Sequence, residues 1–212
     1  MSGESIRIGI IACEILKKEI EELTKDDPDI VHREYLEFAL HVYPEEMRRT
    51  VIDKVDQLEG KVDAVFIGYA VCQSLSGVPD AVKVPSVMLE GDDCLAVLLG
   101  PVEYCNEKAK CTGTWFSSPG WAEKGVEGVI KELHLDSVEG IDPMYFMDII
   151  FQSYSRCLFI DTGIGDKERY EAMTREFAEH LRLKCDSRTG TLENLRRHLR
   201  KTKDLAAVQH NG

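Results

Sequence analysis

Cys13, His41, Cys72 and Cys94 are the residues of this chain most able to do chemistry together. Cys13 ends the apolar run Ile6–Ile11, and His41 closes the alternating stretch His32–Phe38. Cys72 follows the run Val62–Tyr69, and Cys94 ends the loop Glu90-Gly91-Asp92-Asp93. Thiolates and imidazole are the ligand set of zinc, and thiolates alone suit an iron–sulfur cluster. Asp92 adds an oxygen ligand beside Cys94. The chain has no Cys-x-x-Cys pair, so such a site needs the fold to assemble it. Packing is the competing account, because cysteine is among the most buried residue types. Cys105, Cys111, Cys157 and Cys185 share no evident geometry and are read as structural, with Cys111 a spare ligand. Seven cysteines is an odd number, which argues against a disulfide framework.

The elements that must position these residues alternate. Ile6–Ile11, His32–Phe38, Val62–Tyr69 and Lys83–Leu89 read as strands, most of them apolar enough to be buried on both faces. Ile15, Leu16, Ile20 and Leu23 give the first helix an apolar side. Pro44 and the stripe Met47, Val51, Val55 and Leu58 give the next one. Asp142-Pro143 opens a long apolar helix through Tyr154. Cys157–Asp161 reads as a strand, and Asp166 to about Leu181 as a helix. Leu183–Cys185 reads as a short last strand, and Thr191, Leu192, Leu195 and Leu199 mark a final helix. This pattern predicts an α/β fold with a mostly parallel, Rossmann-like sheet covered by helices on both faces, and a small irregular insertion containing Cys and Trp. The expected organisation is a single α/β domain over 1–204, regular in 1–104 and 142–204 and irregular in 105–141, with a tail at 205–212. Ligands of such sheets bind outside the carboxyl ends of the strands, where the three thiols and the imidazole would meet. Helix N-termini just beyond the cysteines would lower the thiol pKa values.

Two weaker signals lie further along. Asp161-Thr162-Gly163-Ile164-Gly165-Asp166 is a strand exit in which Gly163 and Gly165 could cradle a cofactor anion, although it lacks the full dinucleotide and P-loop patterns. Gly113-Thr114-Trp115-Phe116 with Pro119-Gly120-Trp121 reads as an aromatic lid or a hydrophobic corner. The formal net charge of −12 disfavours nucleic acid and anionic membranes as partners. The one basic cluster, Arg196, Arg197, Arg200, Lys201 and Lys203, reads as a solvated helix face. No apolar run reaches the ~18–20 residues of a membrane span, and the start has no signal-peptide pattern. These features predict a cytoplasmic protein.

Several segments carry a resemblance: Ala12-Cys13 with Glu19, Leu40-His41 with Pro44, Tyr69 with Cys72, Asp93-Cys94 with Leu98-Leu99-Gly100, Tyr104, Gly113-Thr114, Pro119-Gly120-Trp121 and Asp161-Thr162-Gly163. The chain resembles an uncharacterised domain family of methanogenic archaea and anaerobic bacteria over roughly residues 6 to 200. Two positions depart from that family's pattern: Asp92 stands where a histidine is frequent, and Ala70 where a glycine is usual. The resemblance implies an association with corrinoid-dependent methyl-transfer systems, and therefore anaerobic one-carbon metabolism.

The leading expectation is a zinc site made by Cys72, Cys94 and either Cys13 or His41, with Asp92 as a further ligand and Glu19 or Asp93 as general base. A zinc-bound thiolate is a good methyl acceptor, so a thiol methyltransferase-like enzyme is the matching activity. The expected partner is a small-molecule substrate or a corrinoid or methyltransferase protein, and the chain is expected to be able to form a homo-oligomer. The alternatives are a non-enzymatic carrier or chaperone of a metal, cluster or corrinoid, and a metal-free redox protein using Cys72 and Cys94.

Overall fold

The computed structural model describes residues 5–38, 43–72, 74–137 and 139–210. The chain forms two compact units, residues 1–97 with 192–212, and residues 98–191. The α/β class and the parallel strands are as the sequence implies. The strands form two sheets, one per unit.

In the first unit, β1 (Ile8–Cys13) is buried along its whole length. It pairs in parallel with β2 (Ile30–Leu36) on one side and β3 (Ala64–Gly68) on the other, and β3 pairs in parallel with β4 (Ser86–Met88). The order is β2-β1-β3-β4. A short 3-10 turn, Glu14–Leu16, leads from β1 into α1 (Lys17–Thr24). The crossover from β2 to β3 is α2 (Pro44–Asp56), whose Met47, Val51 and Val55 are buried as their spacing implies. The short α3 (Val78–Ala81) precedes β4, and β4 is shorter than the run Lys83–Leu89 suggested. Pro85 fits that shortening, since proline cannot donate to a ladder and sits at a strand's start.

The second unit begins within α4 (Cys94–Leu99) and continues through α5 (Pro101–Lys110), β5 (Thr114–Ser117) and α6 (Pro119–Glu132). The segment expected to be irregular, 105–141, therefore holds helix, strand and a helix kinked at Gly125, where φ is 57°. The turn residues Gly113 and Pro119-Gly120 bound these elements instead of interrupting them. Then come α7 (Pro143–Phe151), β6 (Arg156–Asp161), α8 (Lys167–His180) and β7 (Lys184–Thr189), and the sheet order is β5-β6-β7, all parallel. β7 is longer than Leu183–Cys185 implied, because polar Lys184, Asp186 and Ser187 hide the strand from a hydrophobicity reading.

The last helix, α9 (Glu193–His210), returns to the first unit and packs against β1, β3 and β4. It takes in residues 205–210, which were expected to be tail, and Ala206 on that stretch is fully buried. Its basic cluster is engaged within the unit. Lys201 Nζ and Arg197 Nη2 bind the Glu90 carboxylate at 2.8 and 3.1 Å, and Lys203 Nζ binds Asp27 and Asp29 at 2.8 and 2.9 Å. Acidic exit loops on the neighbouring elements account for a pattern that the helix alone presents as solvated.

Candidate thiol site at the strand ends

Strand order reverses at β1: the chain runs from β1 outward to β2, then crosses back to β3 on the opposite side. The carboxyl ends of β1 and β3 therefore flank the switch point of this sheet, where doubly wound folds bind ligands. Cys13 is the last residue of β1 and is 1% exposed. Tyr69 follows β3 directly and is fully buried.

Two exit loops meet beside this point. The N–H of Val71 donates to Gly91 O at 3.1 Å, and that of Cys72 to Asp92 O at 3.0 Å. The β3 exit and the β4 exit thus run side by side as an extension of the sheet. Cys72 is half-buried and takes a left-handed backbone, with φ of 42°. That conformation is uncommon for a residue with a Cβ and clusters at functional sites. Cys94 opens α4 and is buried.

These placements bring three thiols together. Cys94 is within hydrogen-bonding reach of both the Cys13 and the Cys72 side chains, and the Ala70 backbone N–H is directed to it. The Cys13 contact, joined by burial, pushes the Cys94 thiol well above its usual range, and the Cys72 contact and the Ala70 N–H oppose this only in part. The expectation that a helix N-terminus lowers this thiol does not hold, because desolvation and a neighbouring sulfur outweigh what one short helical turn offers. Burial raises the Tyr69 phenol far above its ordinary value, with further contributions from Cys13, Cys94, Cys72 and Glu14. All three sulfurs thus act on the phenol electrostatically.

The carboxylates fall in different places. Asp93 Oδ1 accepts from the Ala96 N–H at 2.7 Å and so caps α4. Asp92 reaches the cluster through its carbonyl, and its side chain is exposed. Glu19 is fully buried on α1, while Glu14 Oε1 accepts from the Phe38 N–H at 2.7 Å. His41 lies outside the described residues. Among the described residues, no group of three or more His, Cys, Asp or Glu side chains stands in a ready metal-ligating arrangement.

The remaining candidates belong to the second unit. At the β6 exit the Gly163 N–H is taken by Asp161 Oδ1 at 3.0 Å, Asp161 also pairs with Lys167, and Asp166 caps α8. A carboxylate of the chain itself thus occupies the amide that an anion would use. Gly165 has φ of 75°, and a Cβ there would stand 2.8 Å from the Tyr170 ring. Trp115 packs among Trp121, Phe151, Tyr154 and Phe177, which makes the aromatic segment a hydrophobic corner. Cys157 and Cys185, read as unrelated, are register partners on β6 and β7. Burial, and then Cys185, push the Cys157 thiol up to about 12. Cys111 Sγ lies 3.2 Å from Ser155 Oγ.

Two members of the thiol site escaped the sequence reading as functional residues, Tyr69 and Glu14. Their signal was position: each stands next to a strand terminus, and Tyr69 is an aromatic with a polar tip at the end of an otherwise apolar strand. Comparison with known families gives one match. The model described as "Protein of unknown function (DUF1638)" matches residues 35–199, a span that includes His41, Cys72 and Cys94 and excludes Cys13. No curated protein and no solved structure matches the chain.

Proposed function

The chain belongs to the DUF1638 family, whose description assigns no activity, and we propose from the site itself that it is a thiolate protein that holds a soft metal ion. The ligands are Cys13, Cys72 and Cys94, and zinc is preferred to an iron–sulfur cluster. One observation carries this reading: Cys94 reaches both other thiols at the switch point of the sheet. The donor set fits the group in kind, because three sulfurs, two of them buried, are what a borderline-soft cation binds. His41 and Asp92 are the further ligand candidates. Glu14 joins Glu19 and Asp93 as a candidate for handling protons.

A bound zinc would supply a deprotonated thiolate able to accept a methyl group. The resemblance to an uncharacterised family associated with corrinoid-dependent methyl-transfer systems supports placing this chemistry in one-carbon metabolism, with a small-molecule substrate or a corrinoid or methyltransferase protein as partner. The chain's own contribution is to gather the sulfurs, bury Cys13 and Cys94, and keep the buried Tyr69 phenol within their electrostatic influence. Ligand thiols must lose their protons, so metal uptake releases protons and strengthens as pH rises.

Metal analysis of protein purified without oxygen tests the proposal. A colourless chain with stoichiometric zinc supports it, and a brown chain points to a cluster instead. Cys72→Ser/Cys94→Ser should lose the metal and keep the fold, because the sheet core of Ile8, Ile10, Val65 and Ile67 does not depend on either thiol. Full metal content in that variant would place the site elsewhere.

A further inference from the structure

We propose that Cys72 and Cys94 also form a reversible disulfide when the chain meets a hydroperoxide, with Cys72 as the thiol attacked first and Cys94 as the one that resolves it. The inference rests on the same grouping of thiols as the metal reading and adds a chemistry that needs no metal.

Accessibility assigns the roles. Cys13 and Cys94 are 1% and 4% exposed, whereas Cys72 is the half-buried member of the three. A small oxidant therefore meets Cys72 before either partner. Oxidation-sensitive thiols combine such access with a second thiol close enough to condense. Cys94 supplies that second thiol: the Cys72 N–H donates to Asp92 O at 3.0 Å, which ties the Cys72 backbone to a residue only two positions before Cys94, and the Cys72 side chain acts directly on the Cys94 thiol. Cys72 sits on the exit loop of β3 and Cys94 at the first position of α4, both beyond the paired strands β3 and β4, so closing a bond between them asks for adjustment of the Cys72 loop and leaves the sheet ladder untouched. The left-handed backbone at Cys72 marks the loop as already held away from its relaxed state.

The chemistry balances with peroxide as the only added reactant. The Cys72 sulfur displaces hydroxide from the O–O bond, giving a sulfenic acid and one water. The Cys94 sulfur then attacks the Cys72 sulfur and forms the S–S bond. The Cys94 proton leaves with the displaced hydroxide as a second water. Each sulfur gives up one electron, and the peroxide takes both. A thiol reductant reverses the change by exchange. Because both sulfurs are metal ligands in the reading above, the oxidised chain cannot hold the metal through them.

The test uses the full chain, reduced and metal-free, treated with hydrogen peroxide and then alkylated in denaturant. Reactive thiols should fall from the seven in the sequence by two, and unreduced peptide mapping should join the Cys72 peptide to the Cys94 peptide. Dithiothreitol should restore both. Cys94→Ser should leave a Cys72 sulfenic acid that dimedone captures, and Cys13→Ser should still form the 72–94 link. If either variant fails to fold, the wild-type map decides alone. A Cys13–Cys94 link, or oxidation confined to the exposed Cys105 and Cys185, overturns the proposal. Zinc binding by the reduced wild type separates the two readings. A chain that forms the disulfide but takes up no zinc overturns only the metal reading, and one that binds zinc but keeps all its thiols overturns only this one.

Discussion

The backbone N–H of Cys72 donates to the carbonyl oxygen of Asp92 at 3.0 Å, and with the neighbouring bond from Val71 to Gly91 it carries the β3–β4 pairing past the end of the sheet. The two residues belong to different exit loops. Their pairing holds the loop that bears Cys72 beside the loop that leads into Cys94. The Asp92 side chain takes no part in this bond, so the two aspartates of the loop should respond differently to mutation.

Asp93→Ala removes the cap on the Ala96 N–H and should cost about 1 kcal/mol, the usual worth of an N-cap carboxylate. Asp92→Ala keeps the backbone bond and should cost less than about 0.5 kcal/mol, as for an exposed surface change. Urea unfolding of both variants checks the contrast, and equal losses would count against it.

Gly68 stands opposite Ala12 in the β1–β3 register, and a Cβ there would fall 2.4 Å from the Ala12 Cβ. Gly68→Ala should force the two strands apart at the switch point and destabilise the first unit by about 1–3 kcal/mol, the range for overpacking. Because Cys13 follows Ala12, the same change should raise the rate at which Cys13 is alkylated. A variant with wild-type stability and wild-type Cys13 labelling would show that this approach does not matter.

Glu107 is fully buried in the second unit. It accepts from Arg156 Nη1 at 2.8 Å, Arg188 Nε at 3.0 Å and Lys110 Nζ at 2.7 Å. Burial by itself would raise its pKa, but the three cationic donors outweigh it and hold the group at about 2, below the ordinary 4.5. A depressed carboxylate contributes stability that is complete above its unfolded value. That stability should fade as pH drops from about 4.5 towards about 2. Glu107→Gln removes the nearer counter-charge of buried Arg156 and leaves it only Asp186 Oδ2 at 3.8 Å, so it should cost up to about 3 kcal/mol, the low end for a broken buried pair. Acid titration of stability should lose its slope in this window in the variant, and an unchanged slope would refute the assignment.

Deleting residues 205–212 removes the last turns of α9, including buried Ala206. The deletion should lower the stability of the first unit and accelerate amide exchange in β1, β3 and β4, against which α9 packs. A dispensable tail would change neither.

The sequence alone determined the class of the fold and the direction of its strands. Continuous apolar runs such as Ile6–Ile11, alternating with amphipathic helices, can be buried only in a parallel sheet covered on both faces. It also determined which cysteines stand at strand ends, because a strand ends where its hydrophobic run does. What it left undecided depended on partners distant in the chain. The helix–strand–helix of 101–132 was hidden because turn residues marking its boundaries look the same as turn residues filling a loop. The basic face of α9 looked solvated because Glu90, Asp27 and Asp29 reach it only after the chain has returned to the first unit. The thiol site shows the same division. Cys13, Cys72 and Cys94 were legible as candidates, whereas the raised Cys94 thiol and the buried phenol of Tyr69 were not. A pKa is set by the groups and the solvent that surround an atom, and only the tertiary structure brings those surroundings together.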